Sequence, residues 1–155
     1  MVMILRLLKM YTNINIIFVL LWKLWPASIQ DVIRANSLII LFAVSYFWLT
    51  GTNWKWYIDL YNTLPFAKQD VDVIFLSVLT DIILHLLPVI ILGLPMSIPS
   101  VCVATVCILV WYLIVRHNNR IQKIYVSTVP IRTYDIVVGF GIFMAFIVVA
   151  SYRLV

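Results

Sequence analysis

The stretch VIFLSVLTDIILHLLPVIILGL, from Val73 to Leu94, and the stretch IPSVCVATVCILVWYLIV, from Ile98 to Val115, decide the fold between them. The first holds 22 residues with one Asp and one His, the second 18 with no charge. A helix rises 1.5 Å per residue, so about 20 mainly apolar residues cross a ~30 Å hydrocarbon core. Each stretch therefore predicts a membrane-spanning helix. Gly93, Pro95 and Pro99 stop both helices in the short link between them, and the two are expected to be antiparallel neighbours.

Working outward, Ser37 to Trp54 and Ile136 to Tyr152 are further uncharged apolar runs of 18 and 17 residues. Trp54, Lys55, Trp56 and Tyr57 at the end of the first suit the headgroup boundary, where amphipathic rings settle. Met10 to Trp25 is shorter, at 16 residues, and carries Asn13, Asn15 and Lys23. Arg6, Lys9 and Asn13 make a polar stripe over its first turns, which favours a helix lying in the interface. From Ile14 onward the stripe is lost, Lys23 is close enough to the end to snorkel, and Pro26 ends the helix in either case.

Lys and Arg near span ends favour the cytoplasmic side or its equivalent. With five spans, Arg6, Lys9, Lys55, Lys68, Arg116, Arg120, Lys123 and Arg132 fall on one side, and Lys23, Arg34 and Arg153 on the other. That is eight against three. If the first segment does not cross, the split falls to six against five. The expected fold is thus all-α: a polytopic integral membrane bundle of five transmembrane helices, alternatively four plus one interfacial helix. It forms a single transmembrane domain over residues 1–155, with spans at 10–25, 37–54, 73–94, 98–115 and 136–152 and the N-terminus inside. Trp25-Pro26-Ala27-Ser28 offers no clean small-x-small cleavage site, so the first segment is expected to be retained.

Composition excludes most other classes. The chain is 65% hydrophobic and 11% charged, with a mean hydropathy of +1.09, against about 25% charged in a typical soluble domain. A soluble monomer and a disordered chain are both ruled out. The net charge of +5 reads through its position along the chain, not as a nucleic-acid footprint. Cys102 and Cys107 sit about 140° apart round one helix, so no disulfide joins them.

Ser77, Asp81 and His85 recur at i, i+4 and i+8 and line one face of the third span. Asp81 and His85 fall near its midpoint, where ionisable residues are costly and mark either a hydrogen-bonded structural pair or a proton or ion relay. Pro88 leaves the Leu84 carbonyl without its helical partner beside the same face. A relay needs further ionisable groups on facing helices. The second, fourth and fifth spans supply only Ser45, Tyr46, Thr50, Cys102, Thr105 and Tyr112.

Neither a metal nor a cofactor is expected. Asp81 and His85 make two ligands of the three or four a metal needs, and haem ligation by His85 would require a second buried histidine, whereas His117 belongs to a basic loop. No nucleotide loop, nucleophile elbow, HExxH or kinase element is present, so no enzyme activity is expected. Close helix packing is expected at Ser100-x-x-x-Ala104 and Gly141-x-x-x-Ala145, because small residues let backbones approach in lipid. Arg116, Arg120, Lys123 and Arg132 form the one charge concentration, a loop that either sets topology against anionic lipid or docks an acidic partner.

The short length, the lack of a soluble domain, and connecting text such as Trp54-Lys55-Trp56-Tyr57-Ile58-Asp59-Leu60-Tyr61-Asn62 resemble the small multi-span internal-membrane and minor capsid proteins of large icosahedral double-stranded DNA viruses. That resemblance implies a structural role, tying a membrane to a protein shell, with no catalytic residue carried over. An accessory membrane subunit of a mitochondrial respiratory or ATP synthase complex shares the same features, and a small channel or proton-coupled transporter using Asp81 and His85 is the third reading. The expected partners are the lipid bilayer and other protein subunits, and no nucleic acid. The expected location is a viral internal membrane or an organelle membrane such as the mitochondrial inner membrane.

Overall fold

A computed structural model of the protein describes residues 11–50, 71–117, 120–125 and 129–153. Among them are six α-helices and no strand: α1 (Tyr11–Leu20), α2 (Ala27–Thr50), α3 (Val71–Leu92), α4 (Ile98–Arg116), α5 (Arg120–Tyr125) and α6 (Ile131–Arg153). A 3₁₀ turn, Trp22–Leu24, joins α1 to α2. Three helices are long and apolar enough to cross a membrane: Ala27–Thr50, Ile98–Arg116 and Ile131–Tyr152.

α2 is the hub. It packs most extensively against α6, then α4 and α3, and α1 lies along it. The physical reason is its composition. It is the least apolar of the three long helices and also the most buried; Asp31, Arg34, Asn36 and Ser37 belong where protein groups can satisfy them, since lipid offers no hydrogen bonds. Ile33, Ala35, Leu38, Ile39, Ile40 and Ala43 are buried along it. The core joins Leu38, Ile39 and Ile40 to Val101, Ala104 and Ile108 of α4 and to Ala145 and Val149 of α6.

α2 and α6 run antiparallel. Tyr46 meets Phe140 with ring centroids 5.4 Å apart, and Phe47 meets Tyr134 at 5.9 Å. Outward faces are apolar: Leu49, Ile90, Ile91, Val106, Val110, Leu113, Ile114, Ile136 and Phe143 are all exposed. Such a surface suits lipid contact and would be unstable in water.

Several sequence boundaries move. The second helix begins at Ala27, ten residues before the expected Ser37, because Gln30, Asp31, Arg34 and Asn36 find protein partners. Pro26 stands just before this helix, not at the end of α1. The last helix starts at Ile131, not Ile136, since Asp135 is held by α4. α1 stops at Leu20, so its ten described residues reach about 15 Å, half of a hydrocarbon core; Arg6 and Lys9 lie outside the described residues. Residues 51–54 at the end of the expected second span also lie outside them.

α3 and α4 both pack chiefly on α2, and among the described residues their main contacts are not with each other. The expected direct pairing of these two helices gives way because α2 offers a polar partner at each side of the link, Arg34 to the Leu92 carbonyl and Asp31 to Met96 and Ser97. The link between them behaves as its glycine requires. Gly93 adopts φ +76°, and its N–H donates to the Val89 carbonyl at 3.0 Å, closing α3.

Candidate functional site

Sequence reasoning placed the interest of this chain at Ser77, Asp81 and His85. Ser77 and Asp81 belong to α3, but their side chains lie outside the described residues. His85 is half-buried on the same helix. Three of the polar groups expected to face this stripe are otherwise employed. Ser45 donates to the Phe42 carbonyl at 2.8 Å, Thr50 to that of Tyr46 at 2.9 Å, and Tyr112 to Asp135 at 2.6 Å. Cys102 and Cys107 are free thiols on the exposed face of α4.

The described polar chemistry collects at the two ends of the bundle. Where α2 begins, Asp31 is buried and reaches the start of α4. Its Oδ1 accepts from the Met96 N–H at 2.6 Å and its Oδ2 from the Ser97 hydroxyl at 2.9 Å. Ser97 is the N-cap of α4, its Oγ accepting from the Ser100 N–H at 3.2 Å. One turn on from Asp31, Arg34 donates through Nε to the carbonyl of Leu92, the last residue of α3, at 2.8 Å. The guanidinium also lies 5.0 Å from the centroid of the Trp22 ring, a cation–π contact.

The placement of these two charges follows helix electrostatics. An acid sits at the N-terminus of α4 and a base at the C-terminus of α3, each opposite the partial charge of the helix end it meets. The two charges are 3.7 Å apart, at i and i+3 of one helix. One turn of α2 thus grips both sides of the α3–α4 link. Gln30 extends the grip to the α1–α2 turn, donating to the Trp25 carbonyl at 2.8 Å.

At the opposite end Asp135 of α6 is the hub. Arg116 of α4 reaches it with two hydrogen bonds, Nε to Oδ1 at 2.8 Å and Nη2 to Oδ2 at 3.0 Å, and Tyr112 donates to Oδ1 at 2.6 Å. This fork geometry matches a planar guanidinium to a carboxylate. Arg116, one of the four cations of the expected lipid-facing or docking loop, pairs with α6. Arg120 and Arg132 are exposed, and the side chain of Lys123 lies outside the described residues.

Between the ends, Tyr11 donates to Asn36 Oδ1 at 2.9 Å and Asn15 donates to Ser37 Oγ at 3.0 Å, tying α1 to α2. The small residues singled out in the sequence occupy the interior: Ser100 and Ala104 on α4, Gly141 and Ala145 on α6. At Gly141 the helices touch backbone to backbone. A Cβ built there would stand 2.6 Å from the Ile39 carbonyl oxygen and 3.0 Å from the Ala43 Cβ.

Chemically, Asp31 and Asp135 are poor acids or bases, because the oxygens of each already accept hydrogen bonds from neighbouring helices. Among the described residues no three His, Cys, Asp or Glu side chains gather to hold a metal ion. No protein family, no curated protein and no solved structure matches the chain.

Sequence reasoning missed Asp31, Ser97, Tyr112 and Asp135 as a set, and it weighed Arg34 only as a charge. A signal existed for the first pair. Asp31 and Arg34 are spaced one helical turn apart directly after Pro26, the punctuation of a helix start.

Proposed function

We propose that the chain is a structural multi-span membrane component of a larger assembly, anchoring a membrane to a protein shell or complex, with no turnover of its own. One observation carries this reading. Both carboxylates whose side chains are described, Asp31 and Asp135, are used to fasten helix ends to one another, and neither is left open for chemistry. A chain that acts on neighbours through packed helices and short links needs such fastening more than it needs a cleft.

The resemblance to internal-membrane and minor capsid proteins of large icosahedral DNA viruses fits the same role, which would place the chain in a viral internal membrane. An accessory subunit of a respiratory or ATP synthase complex in the mitochondrial inner membrane is the related alternative. In either setting Val71–Leu92 is a fourth crossing helix, since its 22 residues span about 33 Å at 1.5 Å per residue.

Flux measurement tests the proposal. The purified full-length chain in liposomes is expected to pass protons and other ions no faster than empty vesicles. Flux that disappears in a folded Asp81→Asn variant would replace the structural reading with a small channel or proton-coupled transporter.

A further inference from the structure

The segment that carries α5 has a charge excess that the Asp135 pairing does not absorb. Between Arg116 and Asp135 the sequence holds Arg116, Arg120, Lys123 and Arg132 against one acid, Asp135. That acid is taken up by Arg116 in two hydrogen bonds. Arg120 and Arg132 are exposed and pair with no acid among the described residues.

Their position is fixed by packing. Ile121, next to Arg120, is 1% exposed and lies in a cluster with Tyr112 and Val115 of α4, Val129, and Tyr134 and Val138 of α6. Gln122 donates to the Val129 carbonyl at 2.8 Å and holds the return to α6. α5 is thereby seated against the end of the bundle and does not project from it. Just inside this level, Leu113 and Ile114 on α4 are 64% and 60% exposed, and Ile136 on α6 is 53% exposed. Apolar side chains that face outward within about a turn of Arg116 and Arg132 mark the edge of the acyl region.

We propose that Arg120 and Arg132 form a binding site for the phosphate headgroups of anionic phospholipids in the leaflet at that end. The anion nearest to cations held beside a lipid-facing apolar belt is a headgroup phosphate, and guanidinium pairs with phosphate through parallel N–H donors. The site deepens the proposed membrane role, but it does not depend on the identity of the assembly.

The test uses the full-length chain, extracted from vesicles of phosphatidylcholine mixed with phosphatidylglycerol, and native mass spectrometry of the lipids it retains. The wild type is expected to retain phosphatidylglycerol in preference to phosphatidylcholine. In Arg120→Gln/Arg132→Gln the preference is expected to fall about 30-fold, taking about 1 kcal/mol per cation at a membrane surface, while Lys23→Gln leaves it unchanged. Salt supplies a check that needs no variant: raising ionic strength should erode the preference of the wild type, because exposed charges are screened over about 8–10 Å.

Equal retention of the two lipids by the wild type overturns the proposal, and so does a preference that ignores salt. Binding of an acidic peptide in place of phosphatidylglycerol would assign the patch to a protein partner and overturn it too. None of these outcomes bears on flux through the chain, so the failure of this site is distinguishable from failure of the structural role.

Discussion

Replacing Gly141 by alanine adds one methyl group at the tightest contact between α2 and α6. The new Cβ would stand 2.6 Å from the Ile39 carbonyl oxygen, 3.0 Å from the Ala43 Cβ and 3.1 Å from the Ala43 nitrogen. Two of these three neighbours are backbone atoms and cannot rotate away. Ordinary contact begins at 3.4 Å, so the helices must part by about 0.8 Å or bend. Overpacking of this kind costs about 1–3 kcal/mol. Alanine recovers part of that loss, since it is about 0.8–1 kcal/mol better than glycine inside a helix.

Gly139 provides the control. It lies on the same helix two residues away, and a Cβ built there meets nothing within 4 Å. The propensity gain is common to both positions and cancels in their difference. Gly141→Ala is therefore expected to be less stable than Gly139→Ala by about 1–3 kcal/mol, measured by reversible unfolding in mixed micelles. The separation of α2 from α6 also disturbs the Tyr46–Phe140 and Phe47–Tyr134 ring contacts, so tyrosine fluorescence should report it. Equal stability of the two variants, or a more stable Gly141→Ala, would refute the backbone contact on which the bundle is built.

Asp31→Ala removes the charged acceptor used by the Met96 N–H and the Ser97 hydroxyl and is expected to cost about 1.5–3 kcal/mol, the worth of hydrogen bonds to a charged group; Asp31→Asn, which keeps one acceptor oxygen, should cost less. Tyr112→Phe removes the 2.6 Å bond to Asp135 without opening a cavity, so a loss of roughly 1 kcal/mol is expected in the same assay. Cys107 is exposed on the protein surface yet lies mid-helix on α4; a charged maleimide applied to either face of intact vesicles should leave it unlabelled until detergent is added, and labelling before then would place that face in water.

Much of the fold is legible in the sequence because lipid imposes a simple rule: long uncharged runs become helices. Ile98–Arg116 falls within a residue of its expected bounds, and the glycine and prolines between 93 and 99 end the helices on either side. What hydropathy hides is the first third of α2. A window that rejects Gln30, Asp31, Arg34 and Asn36 cannot know that each meets a protein partner, and the partner of Asp31 is 65 residues away at Met96. The order of packing was hidden for the same reason. Proximity in sequence pairs α3 with α4, whereas Asp31 and Arg34 of α2 draw both helices onto it. The stripe Ser77, Asp81 and His85 is legible as a spacing, but a spacing on one helix does not name what faces it.

The most direct test of a structural role is stoichiometry. Native membranes containing the chain should be dissolved in mild detergent, and the complexes resolved by native electrophoresis and quantified by mass spectrometry. The account predicts that the chain runs within one large assembly at a fixed ratio to its neighbours, and that Gly141→Val, which forces α2 and α6 apart, removes it from that assembly. A chain that runs alone while conducting ions, or one whose ratio to every co-migrating protein varies freely, would contradict it.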